Sequence, residues 1–322
     1  MIWLQILILV SCLALIVLGA DWLVDGASAI ARRFHVSEFV IGLTIVGMGT
    51  SAPEMVVSLV GAFSGNADVA VGNVIGSNIF NTFLILGLTA IIMPIAITGS
   101  NRKIDLLMNI VVTALVLGLG MTATITSGYF GDTTLGRMDG GILLAVFALY
   151  MWYSFAKGKD TETEQAPAKE MKLWVAILAV LGGLAALVVG GRFFVLSATK
   201  IAQMAGISDK FIAITILAGG TSAPELATCI VAAVKKKGQL ALGNIIGSNI
   251  FNLMLILGCS ALITPLSFAH IDLVDAGVLF GSTVLLGFTM LTGKRNIIDR
   301  WEGAILTLAW CGYMAWLIYE II

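Results

Sequence analysis

Apolar and polar positions along this chain come in long blocks rather than in the short periods of a water-soluble domain. Ten apolar stretches, at 2–31, 38–63, 69–97, 104–125, 138–156, 172–204, 209–234, 239–266, 272–293 and 301–321, are set off by charged or turn-forming residues. An α-helix needs about 20 apolar residues to cross ~30 Å of hydrocarbon, so the blocks predict an all-α polytopic membrane protein of ten transmembrane helices. The first and sixth stretches are long enough to be tilted. The N-terminus is apolar from its second residue with no basic segment ahead of it, which makes it the first span rather than a cleaved signal peptide. Connections are short except for KGKDTETEQAPAKEM at 157–171, a polar segment read as a cytoplasmic linker between two halves, 1–156 and 172–322.

The two halves share a core. Residues 41–94 and 212–265 align without a gap at an offset of 171: Thr44 with Thr215, GTSAPE at 49–54 with GTSAPE at 220–225, Gly72 with Gly243, GSNIFN at 76–81 with GSNIFN at 247–252, and Pro94 with Pro265. Five spans separate equivalent positions. An odd number makes the second copy enter the membrane from the opposite side, so the expected fold is two inverted-topology five-helix repeats, with cores at about 38–97 and 209–266.

Composition and charge narrow the class. The chain is 59% hydrophobic and 11% charged, which excludes an ordinary soluble domain, and its net charge of −1 gives no ground for nucleic-acid binding. With the N-terminus outside, fourteen of the 18 Lys and Arg residues fall in cytoplasmic loops, leaving Arg137, Arg192, Lys200 and Lys210 outside. The positive-inside rule then places both termini outward, and the Lys235–Lys237 run reads as a topology signal. Cys12, Cys229, Cys259 and Cys311 are scattered through apolar spans and suggest packing rather than disulfides or a thiolate site. His35 and His270 fall in expected loops. Asp21, Asp25 and Arg192 read as interfacial or gate-lining.

The candidate chemistry lies in the duplicated motifs. GTSAPE puts Glu54 and Glu225 near the midpoints of their spans, where a charge costs about 2.5–3.5 kcal/mol on insertion scales and is kept for function. The adjacent proline lacks an N–H and clashes with the carbonyl four residues back, so each helix must break there. The break is expected to free the carbonyls of Gly47 to Thr50 and to expose the N-terminus of a half-helix, features tolerated at membrane depth only around a cavity. In the following span Asn73, Ser77 and Asn81, and again Asn244, Ser248 and Asn252, form a polar stripe at i, i+4 and i+8. Such a stripe also serves interhelical packing; beside a broken helix bearing Glu it reads as lining of an ion site. All these donors are oxygens, which suits a hard cation such as Ca²⁺ and disfavours a soft transition metal. One Ca²⁺ or two or more monovalent cations would balance the paired carboxylates, whereas an empty site would leave a charge of about −2 at the bilayer centre. Obligate exchange of one cation type for another follows as an expectation.

With these residues in view, GTSAPE with GNVIGSNIFN and GTSAPE with GNIIGSNIFN resemble the two repeats of the Ca²⁺/cation antiporter superfamily, specifically its prokaryotic sodium/calcium exchangers. The resemblance implies Ca²⁺ coordination by Glu54 and Glu225, and contacts to Na⁺ or Ca²⁺ from Thr50, Ser51, Ser77, Asn81, Thr221, Ser222, Ser248 and Asn252, with the carbonyls of Gly47 and Ala218. It also implies sliding of the first and sixth helices across the core, transport without a cofactor, a cell-membrane location surrounded by lipid, and function as a monomer. Many family members carry Asp where this chain has Asn252, so no K⁺-dependent cycle is implied and the cation ratio stays open. The short linker leaves no room for a large regulatory region. H⁺ could replace Na⁺, or Mn²⁺ replace Ca²⁺, in the same fold. A passive channel and an intramembrane enzyme are disfavoured, the latter by the lack of HExxH, nucleophile-elbow and Asp-rich diphosphate motifs.

Overall fold

A computed structural model describes residues 2–97, 102–121, 134–157, 171–206, 218–269, 271–289 and 296–321. Most of the linker, His270, Thr215 and the first part of the span expected at 209–234 lie outside these residues. The chain opens with α1 (Ile2–Arg33). After a short turn come α2 (Glu38–Ile41), a π-helical turn at Gly42–Val46, α3 (Gly47–Thr50) and α4 (Ala52–Phe63). Next are α5 (Ala67–Phe80), a second π turn at Asn81–Ile85, α6 (Leu86–Ile92), α7 (Arg102–Gly120) and α8 (Arg137–Lys157). The later part begins with α9 (Leu173–Met204), α10 (Ala218–Gly220), α11 (Ala223–Val234) and α12 (Gly238–Ile250). A third π turn at Phe251–Ile256 leads to α13 (Leu257–Ile263), α14 (Leu273–Phe288) and α15 (Arg300–Ile321). Among the described residues five helical segments are long and apolar enough to cross a membrane, and a sixth if the bent pair Glu38–Thr50 and Ala52–Phe63 counts as one. The other expected spans correspond to shorter apolar helices in α7, α11 and α14, and to α15.

Local sequence explains where the elements stop. Pro94 and Pro265 bias the residue before them away from helix. Met93 (φ −140°, ψ 116°) and Thr264 (φ −143°, ψ 141°) are accordingly extended, and α6 and α13 end just ahead of them. Two short strands follow, β1 (Ile95–Ala96) and, after α13, β3 (Leu266–Ser267), with β2 (Thr134–Leu135) and β4 (Ile297–Ile298) elsewhere in the chain. Their pairing crosses between the halves: β1 lies antiparallel to β4, Ile95 opposite Ile298, and β2 lies antiparallel to β3, Thr134 opposite Ser267. Aromatic contacts cross in the same way. Phe80 meets Trp310 edge-on at 5.1 Å between ring centres, and the offset-equivalent Phe251 meets Phe147 at 6.0 Å.

The middle of the molecule is α5 and α12. Every α12 residue from Leu240 to Ile250 is buried, which requires backbones to touch. A Cβ on Gly243 would strike the Phe39 carbonyl, and one on Gly247 the Leu43 carbonyl. At the periphery α1 and α9 pack as an antiparallel pair along a seam of small residues. A Cβ added to Gly19 would lie 2.8 Å from Ala186 Cβ, and one on Gly183 2.6 Å from the Gly19 carbonyl. Gly26 against Ala179 and Gly190 against Ile16 extend the seam, and Gly19/Gly26 and Gly183/Gly190 are each one heptad apart, as close helix association in membranes favours. The other flank of α1 exposes Trp3, Leu4, Leu7 and Val10.

Lys235, expected only as a topology signal, ties this pair to the core. Its ammonium lies 2.6 Å from both Asp21 and Asp25 of α1. Lys237 is buried and lies 3.4 Å from Glu38; burial pulls its pKa below the ordinary lysine value, and the Glu38 carboxylate opposes that shift. Arg192 and His35 are exposed. All four cysteines are free.

Candidate functional site

Each GTSAPE proline sits in the first turn of a half-helix, where its missing N–H costs nothing. The backbone leaves helical geometry at the serine ahead of it, Ser51 (φ −79°, ψ 8°) and Ser222 (φ −87°, ψ 10°), and the first broken helix bends by 48°. The break is narrower than the sequence led us to expect. The Gly47 carbonyl is not freed, because the Ser51 N–H still donates to it at 3.1 Å and Ser248 Oγ donates to it from α12 at 3.3 Å. Pro53 removes only its own N–H, so the ladder persists up to Ser51.

The two breaks face one another. Ser51 Oγ donates to Glu225 Oε1 at 2.8 Å, and Ser222 Oγ donates to Glu54 Oε1 at 2.8 Å, a reciprocal exchange between the two copies of the motif. Each carboxylate therefore lies against the break of the opposite half. Ser77 and Thr221 border Glu54, and Thr50 borders Glu225. Thr50 Oγ lies 3.0 Å from the Val46 carbonyl and 3.1 Å from Asn244 Oδ1. Asn73 anchors the first half-helix through Ser58 at 3.0 Å and the Glu54 carbonyl at 3.2 Å, and Asn244 anchors the second through Cys229 Sγ at 3.2 Å. Ala218 opens α10, the short turn before the second break.

One set of atoms stands out chemically. Glu54 Oε2, Glu225 Oε2, Ser77 Oγ, Asn81 Oδ1, Thr221 Oγ and Asn252 Oδ1 are buried and have no hydrogen-bond partner among the described residues. These six come from both copies of the motifs, while other unpaired buried atoms, among them Ser28 Oγ, Ser154 Oγ and Ser260 Oγ, lie outside them. Among the described residues no group of three or more His, Cys, Asp or Glu side chains is placed to hold a metal. The donor set is two carboxylates with amide and hydroxyl oxygens, the ligand types a hard cation takes.

Two residues that the i, i+4, i+8 stripe missed, Asn78 and Asn249, lie between the copies. Asn78 Nδ2 donates to the Asn249 carbonyl at 3.1 Å, and Asn252 Nδ2 donates to Asn78 Oδ1 at 3.0 Å. Asn81 Nδ2 donates to Asn249 Oδ1 at 3.2 Å, and Asn249 Nδ2 donates to Thr82 Oγ at 2.9 Å. The signal that could have found them is their equivalent place in the duplicated GSNIFN. Asn81 and Asn252 themselves fall in π turns, an irregularity that recurs at functional sites and that periodicity does not announce.

A family model described as sodium/calcium exchanger protein matches residues 4–156 and 175–319. CaxA of Alkalimonas amylolytica is 40% identical over 94% of each chain. Sodium/calcium exchanger MaX1 of Methanosarcina acetivorans is 31% identical, covering 99% of this chain and 100% of its own. Among solved structures, the sodium-calcium exchanger NCX_Mj soaked with Na⁺ and Ca²⁺ superposes with a TM-score of 0.82 at 33% identity, over 98% of this chain and 99% of that one. Fold and relatives together define a membrane transporter rather than an enzyme. The chain belongs to the sodium/calcium exchanger family.

Proposed function

We propose that this protein is a secondary active antiporter that exchanges Na⁺ for Ca²⁺ by alternating access at a midplane site built on Glu54 and Glu225. The observation that carries this function is the arrangement of the two carboxylates. Each has one oxygen held by the serine of the opposite motif and the other buried without a partner beside further unpaired oxygens. Glu54 and Glu225 act as the charged ligands, Thr50, Ser51, Ser77, Asn81, Thr221, Ser222, Ser248 and Asn252 with the carbonyl of Ala218 complete the shells, and the Gly47 carbonyl joins them by exchanging the Ser248 hydroxyl for the cation. Two acids left uncompensated in lipid resist reorientation, so the site changes sides only when loaded. That converts a binding site into an exchanger. The fold is taken as ten helices in two inverted five-helix repeats, 1–156 and 172–322, joined by 157–171 on the cytoplasmic side, with both termini outside a cell membrane. The exposed apolar flank of α1 suits lipid, and one chain suffices for transport.

The test is ⁴⁵Ca²⁺ uptake into proteoliposomes under an outward Na⁺ gradient at clamped pH. Uptake that collapses with the Na⁺ gradient is the expected result. Uptake driven only by a proton gradient would make the protein an H⁺/Ca²⁺ antiporter, Mn²⁺ outcompeting Ca²⁺ would change the divalent substrate, and currents far above carrier rates would make it a channel.

A further inference from the structure

Asn78 and Asn249 are each 1% exposed and contribute no unpaired oxygen to the site. Their hydrogen bonds form a chain whose direction can be derived. It starts at the Asn249 backbone carbonyl, which can only accept. Asn78 must therefore turn its NH₂ toward that carbonyl, at 3.1 Å, and present Oδ1 to Asn252. Asn252 must answer with its own NH₂, which leaves its Oδ1 as the buried, unpartnered atom. On the other side Asn249 Oδ1 receives the NH₂ of Asn81, again leaving Asn81 Oδ1 unpartnered, while Asn249 Nδ2 rests on Thr82 Oγ.

We propose that Asn78 and Asn249 are positioning residues that lock the amides of Asn81 and Asn252 with their carbonyl oxygens toward the cation; this rests on the ion-site reading above. An unlocked amide can present NH₂ as readily as C=O, and an NH₂ group repels a cation. The clasp therefore keeps both positions as neutral oxygen ligands and leaves the formal charge of the site with Glu54 and Glu225. The two arms are not equal. The Asn252 arm is anchored on a backbone carbonyl that cannot change role, whereas the Asn81 arm is anchored on the Thr82 hydroxyl, which can accept or donate. Asn249 keeps its orientation only as long as that hydroxyl is there to accept.

The experiment is calorimetric titration of the purified full chain with Ca²⁺, with thermal melting in the absence of cation to follow the fold. Asn78→Ala should weaken Ca²⁺ binding about tenfold or more, the scale of losing a buried ligand. In an Asn252→Ala background the same change should have an effect within about twofold, because the residue it acts through is gone. Thr82→Val should weaken binding comparably through Asn249, and Thr82→Ser, which keeps the hydroxyl, should restore it. Additive losses for Asn78→Ala and Asn252→Ala, or equal behaviour of Thr82→Val and Thr82→Ser, would overturn the clasp. Glu54→Gln in the same series separates the two ideas. Normal binding by that variant removes the ion site itself, whereas lost binding together with additive asparagine variants leaves the site standing and removes only the clasp. Should Asn78→Ala not fold, the threonine pair still decides.

Discussion

At the scale of single residues the site is a crossed pair, Ser51 on Glu225 and Ser222 on Glu54, both at 2.8 Å. A hydroxyl donating to a buried carboxylate is a charge-assisted bond, stronger than a neutral one, and removing the donor leaves a buried acceptor unmet at a cost of about 1–3 kcal/mol or more. Ser51→Ala and Ser222→Ala are therefore expected to lower the melting temperature of the cation-free protein by a few degrees each. The double variant should fall by roughly the sum if the two bonds are independent and by less if they brace one another. Scanning fluorimetry without and with Ca²⁺ checks this; an unchanged melting point in both single variants would mean that the crossed bonds hold nothing. The glutamates of the candidate site, with Thr50, Ser51, Thr221 and Ser222, were legible in the sequence because GTSAPE sets an expensive charge beside a helix breaker, and does so twice. Asn78 and Asn249 were not. Their partners lie across the molecule, and helical periodicity reports which face of one helix is polar, not what that face meets.

At the scale of elements the α1–α9 seam shows how close packing depends on a few missing side chains. Gly183 is pressed against the α1 backbone, with the Gly19 carbonyl 2.6 Å and the Leu23 nitrogen 2.8 Å from where its Cβ would stand, whereas beside it Gly182 would bring a Cβ no nearer than 4.0 Å to the Trp22 ring. Backbone cannot swing aside as a side chain can. Gly183→Val is expected to separate the two helices and cut proteoliposome Ca²⁺ uptake to a small fraction of the parent rate, and Gly182→Val to leave it nearly unchanged. Similar rates for both would show that the seam is not tightly coupled to transport. Apolar length located the helices, but α6 and α13 stop at Ile92 and Ile263, short of the expected ends at 97 and 266, because Pro94 and Pro265 turn the chain extended. The π turns were not readable, since an extra residue in a turn leaves no mark in composition. Nor were the partners of Lys235, because a lysine run looks the same whether it faces water or clamps Asp21 and Asp25.

At the scale of the whole molecule many of the specific bonds at the centre join residues before the linker to residues after it. The serine–glutamate pairs, the asparagine clasp, the aromatic pairs and both two-residue sheets are all shared between the halves. A fragment ending near Lys157 would bury Glu54 without Ser222 and expose the edge of β1, a liability in any sheet. Expressed alone, either half is expected to be degraded or aggregated, and co-expressed halves should restore a complex that elutes as one species and binds Ca²⁺. A stable, monodisperse first half on its own would contradict this. The crossed pairing of β1 with β4 and β2 with β3 also has a consequence during biosynthesis. β1 emerges from the ribosome about two hundred residues before β4, so the earlier half must wait in the bilayer, unfinished, for the chain that completes it.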